Sequence, residues 1–339
     1  FMKERKERIE KILIAKKELE KERKKIQTIN LEYNQYVRDI SRFELFNEKI
    51  KEAIDNMPAL IFSNTIQDKF NSKQTAVLCI SDAHNGVEIN MQTVFNEPIN
   101  IYSPDILKKR LNKLADTVIK DYKNNFNYKK LIVFDLGDGI QNILRLSDIA
   151  KLKTGVIDSV LQYAEMISQF LNKIQNELNI QIEFSCLGGN HSELRLISTG
   201  RNWESENLGK VIREFIALRL KDNQNIKVDP YSDFSFKQIE GINILAIHGD
   251  DSKKNINEIS YWEQYHNITI DILLMGHFHH QEQISLGYSP TGDKEIIIVP
   301  SLIGIDEFSR KNRKLARAGA KFILFEDNNK TWEKVIYLN

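Results

Sequence analysis

Residues 270–280, IDILLMGHFHH, constrain this chain more than any other stretch. Ile272, Leu273, Leu274 and Met275 form a run short enough for a strand and apolar enough to be buried on both faces. The run stops at Gly276, and His277-Phe278-His279 follows. In an extended chain alternate side chains share a face, so both imidazoles are expected to leave the strand end together. A pair of nitrogen ligands is presented to a metal in this way. The competing reading is two surface histidines beyond a core strand, and the other histidines decide between them.

The same arrangement recurs at four further apolar runs. Ala76–Ser81 leads into Asp82-Ala83-His84, and Leu131–Leu136 into Gly137-Asp138-Gly139. Ile182–Leu187 leads into Gly188-Gly189-Asn190-His191, and Ile242–Ile247 into His248-Gly249-Asp250. Glycine beside the polar residues lets the backbone turn sharply, and strand ends are where α/β folds bind ligands. Of the 7 histidines only His266 and His280 fall outside these places, and His280 adjoins one of them. Chance would scatter them. Imidazole, carboxylate and amide oxygen together suit a borderline divalent ion: manganese first, with iron, zinc and cobalt as alternatives, and magnesium a poorer match. One shared aspartate plus six other ligands gives two ions about four protein ligands each. Two such ions about 3.5–4 Å apart can clamp a phosphoryl group and generate a bridging hydroxide for in-line attack.

The ordered set Asp-x-His, Gly-Asp, Gly-Asn-His, His, Gly-His-x-His over Thr75–Asn339 resembles the calcineurin-like metallophosphoesterase superfamily. The resemblance implies an α/β fold, a four-layered αββα sandwich. It implies that Asp82, His84 and His279 hold one ion, that Asn190, His248 and His277 hold the other, and that Asp138 bridges them. It gives His191 no metal, but a place on the phosphate, helping the leaving group depart as a positioned general acid. The arginine that phosphoprotein phosphatases carry after Gly-Asp is missing from Gly137-Asp138-Gly139-Ile140-Gln141-Asn142, and Ser192 follows Gly-Asn-His. More closely the chain is similar to phage and prophage metallophosphoesterases related to DNA-repair exonucleases of the SbcD type. Tyr102-Ser103-Pro104, Arg145-Leu146-Ser147, Pro300-Ser301-Leu302 and Gly304-Ile305-Asp306-Glu307 carry that likeness.

Residues 2–56 contain neither proline nor glycine and are heavily charged. Ile9, Ile12, Leu19, Ile26, Tyr33, Val37 and Ile40 fall on the three- and four-residue steps of a heptad seam, which Lys16, Arg23 and Asn30 weaken. A one-residue slip follows at Phe43, Phe46, Ile50 and Ile54. A long helix or helical hairpin over 1–57 is expected, used as a coiled coil in a homodimer or laid on its own catalytic domain. Met57-Pro58 breaks it, and 58–74 reads as a linker. From Thr75 to 339 strand-like runs alternate with helical spacing at Pro104–Asn124, Thr154–Leu178 and Glu204–Lys221, and late strands follow at Ile296–Val299 and Phe322–Phe325. Strands and helices alternating early and strands clustering late suggest two layered sheets with helices outside.

A net charge of +1 gives the whole chain no field that favours nucleic acid or acidic substrates, so such attraction has to be local. Cys79 and Cys186 sit in apolar runs and read as reduced core thiols. No segment approaches the roughly 20 apolar residues of a membrane helix, and the charged start from Lys3 offers no signal-peptide core. A cytoplasmic protein of a bacterium or a phage-infected host is expected. Arg145, Arg195, Arg201 and the 310–317 segment RKNRKLAR, with Arg310 and Arg313 and five basic residues in all, are candidates for following a nucleic-acid backbone. Trp203, Tyr261 and Trp262 could stack bases or belong to the core. The expected activity is manganese-dependent phosphodiester hydrolysis of nucleic acid, DNA first. A small-molecule or nucleotide phosphatase or phosphodiesterase is the second reading. A non-catalytic scaffold is the third, set back by the complete ligand set.

Overall fold

The apolar runs become strands because each is rich in β-branched and aromatic residues and too short for a helix. The computed structural model describes residues 13, 16–30, 33, 48, 50–62, 72–143, 151–195, 202–253, 255, 257–289 and 292–339. Two compact units emerge, Phe1–Pro58 and Ala59–Asn339. In the first, residues 16–30 and 50–55 are helical, and Leu19, Ile26 and Tyr33 are exposed. The expected seam positions Ile9, Ile12, Val37, Ile40, Phe43 and Phe46 lie outside the described residues.

The second unit runs β1 (Gln74–Ile80), β2 (Ile89–Gln92), β3 (Pro98–Tyr102), α1 (Pro104–Asn125), β4 (Lys130–Asp135), α2 (Val156–Leu178), β5 (Gln181–Cys186), β6 (Glu193–Arg195), β7 (Asn202–Asn207) and α3 (Gly209–Arg219). It continues with β8 (Ile226–Val228), β9 (Phe234–Ile239), β10 (Ile242–Ile247), α4 (Glu258–His266), β11 (Ile272–Met275), β12 (Glu282–Ser289), β13 (Gly292–Ile298), α5 (Glu307–Lys311), β14 (Gly319–Glu326) and β15 (Asn329–Tyr337). One sheet has the order β15-β14-β1-β4-β5-β8 and the other β12-β13-β11-β10-β9. β1, β4, β5 and β8 are parallel neighbours, as are β10, β11 and β13.

The sheets face each other through Val77, Cys79, Ile132, Phe134, Ile323 and Phe325 on one side and Ile244, Ala246, Ile272, Leu274 and Ile297 on the other. Their alternate residues are buried too. Leu245, Leu273 and Met275 pack with Ile259 and Trp262 of α4, while α1, α2 and α3 lie side by side, α2 and α3 against β8. This is the αββα sandwich. Burying both faces stabilises it by roughly 1.5–3 kcal/mol per large apolar side chain. α1 starts where the sequence signals a start: Ser103 Oγ accepts the Ile106 N–H, and Pro104 occupies the first turn.

One expectation needs correction. The helical spacing over Glu204–Lys221 yields a helix only from Gly209. Residues 202–207 are strand because they pair with β6, Leu194 opposite Trp203, and pairing overrides local spacing. The edge strands β9, β12 and β15 had no apolar run to announce them, since β9, for instance, alternates exposed and part-buried positions.

Candidate metal centre

The carboxyl ends of β1, β4 and β5 from one sheet and of β10 and β11 from the other deliver the polar residues to one place. They do not arrive by extended alternation. β1 ends at Ile80 and β11 at Met275, and Asp82, His84, Asp138, His277 and His279 all have left-handed backbone, with φ of 53°, 45°, 52°, 65° and 55°. Each such non-glycine residue costs on the order of 1 kcal/mol, and strain of this kind collects at functional sites. The kinked strand ends also pack tightly. A Cβ on Gly137 would lie 2.6 Å from the Gly188 carbonyl, and one on Gly189 would overlap Asp138.

Three overlapping groups of side chains have ligand atoms close enough to share an ion: Asp82, His84 and His279; His84, Asp138 and His191; and Asp138, His248 and His277. His248 Nε2 is 3.1 Å from Asp138 Oδ2 and 3.2 Å from Asn190 Oδ1. His279 Nε2 is 3.3 Å from Asp82 Oδ1 and 3.1 Å from His84 Nε2. All seven residues expected as ligands, and His191 with them, therefore meet in one centre.

The partners of the far ring nitrogens settle which nitrogen His84 and His248 offer. Gln141 Oε1 lies 3.1 Å from His84 Nδ1, and the Leu136 carbonyl 2.7 Å from His248 Nδ1, so both Nδ1 atoms carry the proton. Asp306 Oδ2 faces His279 Nδ1 at 3.1 Å, as an ion pair and not an aligned hydrogen bond. Acceptors behind the ring are how proteins hold metal-binding histidines in one tautomer. Nε2 lone pairs then converge, and the approach of His84 to His279 needs a cation or a proton between them. Asp82 Oδ1, fully buried, also lacks a hydrogen-bond partner, while Asp82 Oδ2 accepts from the Ser81 hydroxyl and from the His277 N–H at 2.9 Å. The donor set fits a pair of divalent ions.

Electrostatics point the same way. Burial alone would push the His248 imidazole down, but Asp138 beside it raises it to about 10. Burial opposes His279 likewise, and Asp82 and Asp306 lift it to about 10. Burial would raise Asp82, but His279 holds it at about 2. Against burial, His248 and His191 keep Asp138 well below the usual carboxylate range. His84 and His277 go down, chiefly through burial and then through the neighbouring imidazoles His279 and His248. Burial takes His191 down to about 3, so its ring is neutral at physiological pH. Its backbone N–H donates to Asp138 Oδ1 at 2.7 Å, and its ring stands edge-on to His84 at 4.6 Å.

The remaining candidates are dispersed. Arg145 and Arg201 lie outside the described residues, and Arg195 falls in β6. Arg310 in α5 and Arg313 just after it are exposed and are not among the residues lining the cleft over the centre, whereas Lys311 is. Trp262 packs against the second sheet, Tyr261 is exposed on α4, and Trp203 falls in β7. Sequence reading gave Gln141, Asp306 and Phe308 no role. Only the position of Gln141, three residues past Asp138, could have suggested one.

Residues 15–57 match the family described as the YonJ coiled-coil domain. Over 318 residues the chain is 30% identical to the SPbeta prophage-derived uncharacterized protein YonJ of Bacillus subtilis (strain 168), which takes in 92% of this chain and 76% of that protein. Among solved structures, Yfce, a phosphoesterase from E. coli, aligns with a TM-score of 0.33 and 12% identity over 78% of this chain and 100% of its own. Zinc-complexed Vps29 from Entamoeba histolytica gives a TM-score of 0.33 and 11% identity over 78% and 99%. Likenesses this loose carry no weight for activity.

Proposed function

The chain belongs to the family of the prophage protein YonJ, and with that as premise we propose that it is a calcineurin-like metallophosphoesterase that hydrolyses phosphodiester bonds of nucleic acid, DNA first, in the manner of DNA-repair exonucleases. One observation carries the reading: three overlapping candidate ligand groups at the strand ends of both sheets, with the His84 and His248 imidazoles turned inward by acceptors behind them. Asp82, His84 and His279 would hold one divalent ion and Asn190, His248 and His277 the other, with Asp138 between them. Manganese is the first choice for both. When bound, such ions supply Lewis acidity to phosphoryl oxygens and lower the pKa of water.

The chain's own residues do the rest. Asp82 and Asp138 stay ionised and neutralise the cationic centre. The neutral His191 ring stands beside both ligand groups through His84 and Asp138, placed to give an N–H to a phosphate or leaving oxygen. Nucleic acid is the proposed macromolecular partner, and the first unit is proposed to pair two copies of the chain.

A manganese-supplemented panel tests this: a chromogenic diester and monoester beside single-stranded and duplex oligonucleotides, with His191→Ala and Asp138→Asn as controls. Oligonucleotide cleavage lost in both variants is expected, by roughly a hundredfold or more for His191→Ala. Hydrolysis of the small esters with intact oligonucleotides would replace the nuclease reading with a small-molecule phosphoesterase, which the cavity volume of about 480 Å³ would also accommodate.

A further inference from the structure

The cleft over the centre has a second surface that takes no part in holding metal. Val87, Ile89 and Met91 line it from the approach to β2 and from β2 itself, Ile303 from the segment leading into α5 and Phe308 from α5. These form one surface. Met91 lies opposite Asn100 in the β2–β3 hairpin, and Asn100 Nδ2 donates to the carbonyls of Ile303 at 2.9 Å and Ile305 at 2.7 Å. The buried Arg110 completes the tie, donating to the carbonyls of Leu302 at 2.7 Å and Ile303 at 2.8 Å and to Asn100 Oδ1 at 3.0 Å.

Phe308 is the distinctive member. The residue is 39% exposed, with its ring centroid 5.5 Å from that of His277 and 5.1 Å from that of His279. A reciprocal cap fixes the segment that carries it: Ser309 N–H donates to Asp306 Oδ1 at 2.8 Å and Asp306 N–H to Ser309 Oγ at 2.9 Å. Asp306 also faces His279. One short element therefore orients a metal-facing imidazole and holds an exposed aromatic ring beside it. Glu307, its neighbour, pairs with Lys151 at 2.8 Å, a second cationic residue of the cleft besides Lys311.

Resting on the phosphoesterase reading, we infer that this surface is a base subsite: the nucleobase next to the scissile phosphate lies on Phe308, bordered by Ile89 and Met91. A nucleobase is the flat π-faced group that accompanies a phosphodiester, and stacking on an aromatic ring tolerates every base. Occupying the subsite requires the base to leave its duplex stack, which costs least in a single strand or at a frayed end. The substrate class is accordingly a phosphodiester with an unpaired base beside the bond that breaks.

The test uses the manganese-loaded full chain and two diesters with one leaving group, thymidine 5′-(p-nitrophenyl phosphate) and methyl p-nitrophenyl phosphate. Wild type should prefer the thymidine ester by roughly tenfold in kcat/KM, the preference should fall to about twofold or less in Phe308→Ala, and Phe308→Trp should keep it. A preference that survives Phe308→Ala, or that wild type never shows, overturns the subsite. If neither ester is hydrolysed, the phosphoesterase reading is what has failed. Equilibrium dialysis of thymidine 5′-monophosphate against inorganic phosphate then decides the subsite alone. Weaker nucleotide binding with unchanged phosphate binding in Phe308→Ala supports it, and equal binding of the two ligands by wild type overturns it.

Discussion

Asp306 shows how much one residue outside the ligand set can control. It faces Nδ1 of His279 while capping α5, so it orients an imidazole and anchors the segment that bears Phe308. Burial would raise its carboxyl, yet His279 holds it far below the usual range, so it is ionised throughout the working pH. Asp306→Asn separates the two duties, because asparagine caps a helix about as well as aspartate but brings no charge to His279. Manganese affinity, measured by calorimetric titration, should fall about 10- to 100-fold with little change in melting temperature. Unchanged affinity would reduce Asp306 to a helix cap. The seven candidate ligands were legible as a group in the sequence because each lies within four residues of the end of an apolar run, and that adjacency survives translation into structure. Asp306 was not legible, and Gln141 only through its place three residues past Asp138, since a residue that acts behind a ligand has no fixed offset from it. The mechanism of placement was misread too. Left-handed backbone at five positions, not strand alternation, brings the side chains together, and nothing in Asp-x-His distinguishes the two.

At the scale of elements, strong periodicity was readable and pairing was not. The strands that announced themselves are central and buried on both faces. The half-exposed edge strands and the β6–β7 ribbon exist through their neighbours. The helix over residues 16–30 presents the opposite case, an element whose own partner is the question. Leu19, Ile26 and Tyr33 recur at seven-residue spacing with 72%, 58% and 63% exposure, and a matched coiled-coil domain spans this stretch. An apolar seam at that spacing is buried when a second helix supercoils against it. Sedimentation equilibrium of the full chain should give about twice its 39.5 kDa. Leu19→Glu combined with Ile26→Glu, which puts charge into the seam, should return it to the mass of one chain. A wild-type chain that sediments as a monomer at micromolar concentration would remove the homodimer from the proposal.

At the scale of the whole second unit, both sheets contribute candidate ligands to one centre, so its charge state is tied to the stability of the sandwich. In the metal-free protein His248 and His279 sit at about 10, above the ordinary histidine value of 6.5. Groups raised on folding stabilise fully below their unfolded pKa and lose that contribution as pH climbs through the folded one. Asp135 adds to the trend. Burial lifts it to about 7 despite the Tyr163 hydroxyl that donates to it at 2.8 Å, so its contribution is lost between about 4 and 7. Asp82 works in the other direction: held at about 2, it contributes above its ordinary 3.8 and loses that contribution only as pH falls through the folded value. Metal-free protein should therefore lose stability steadily from pH 6 to 9. Manganese requires the imidazoles deprotonated, so binding displaces those protons and strengthens over the same range. Bound at a hundredfold excess over Kd it adds about 2.7 kcal/mol, roughly 5–10 °C in a domain of this size. The melting-temperature gain from manganese should grow between pH 6 and 8.5, and titration in weak buffer should release protons. A gain that shrinks with rising pH, or titration without proton release, would mean that these histidines do not hold the metal.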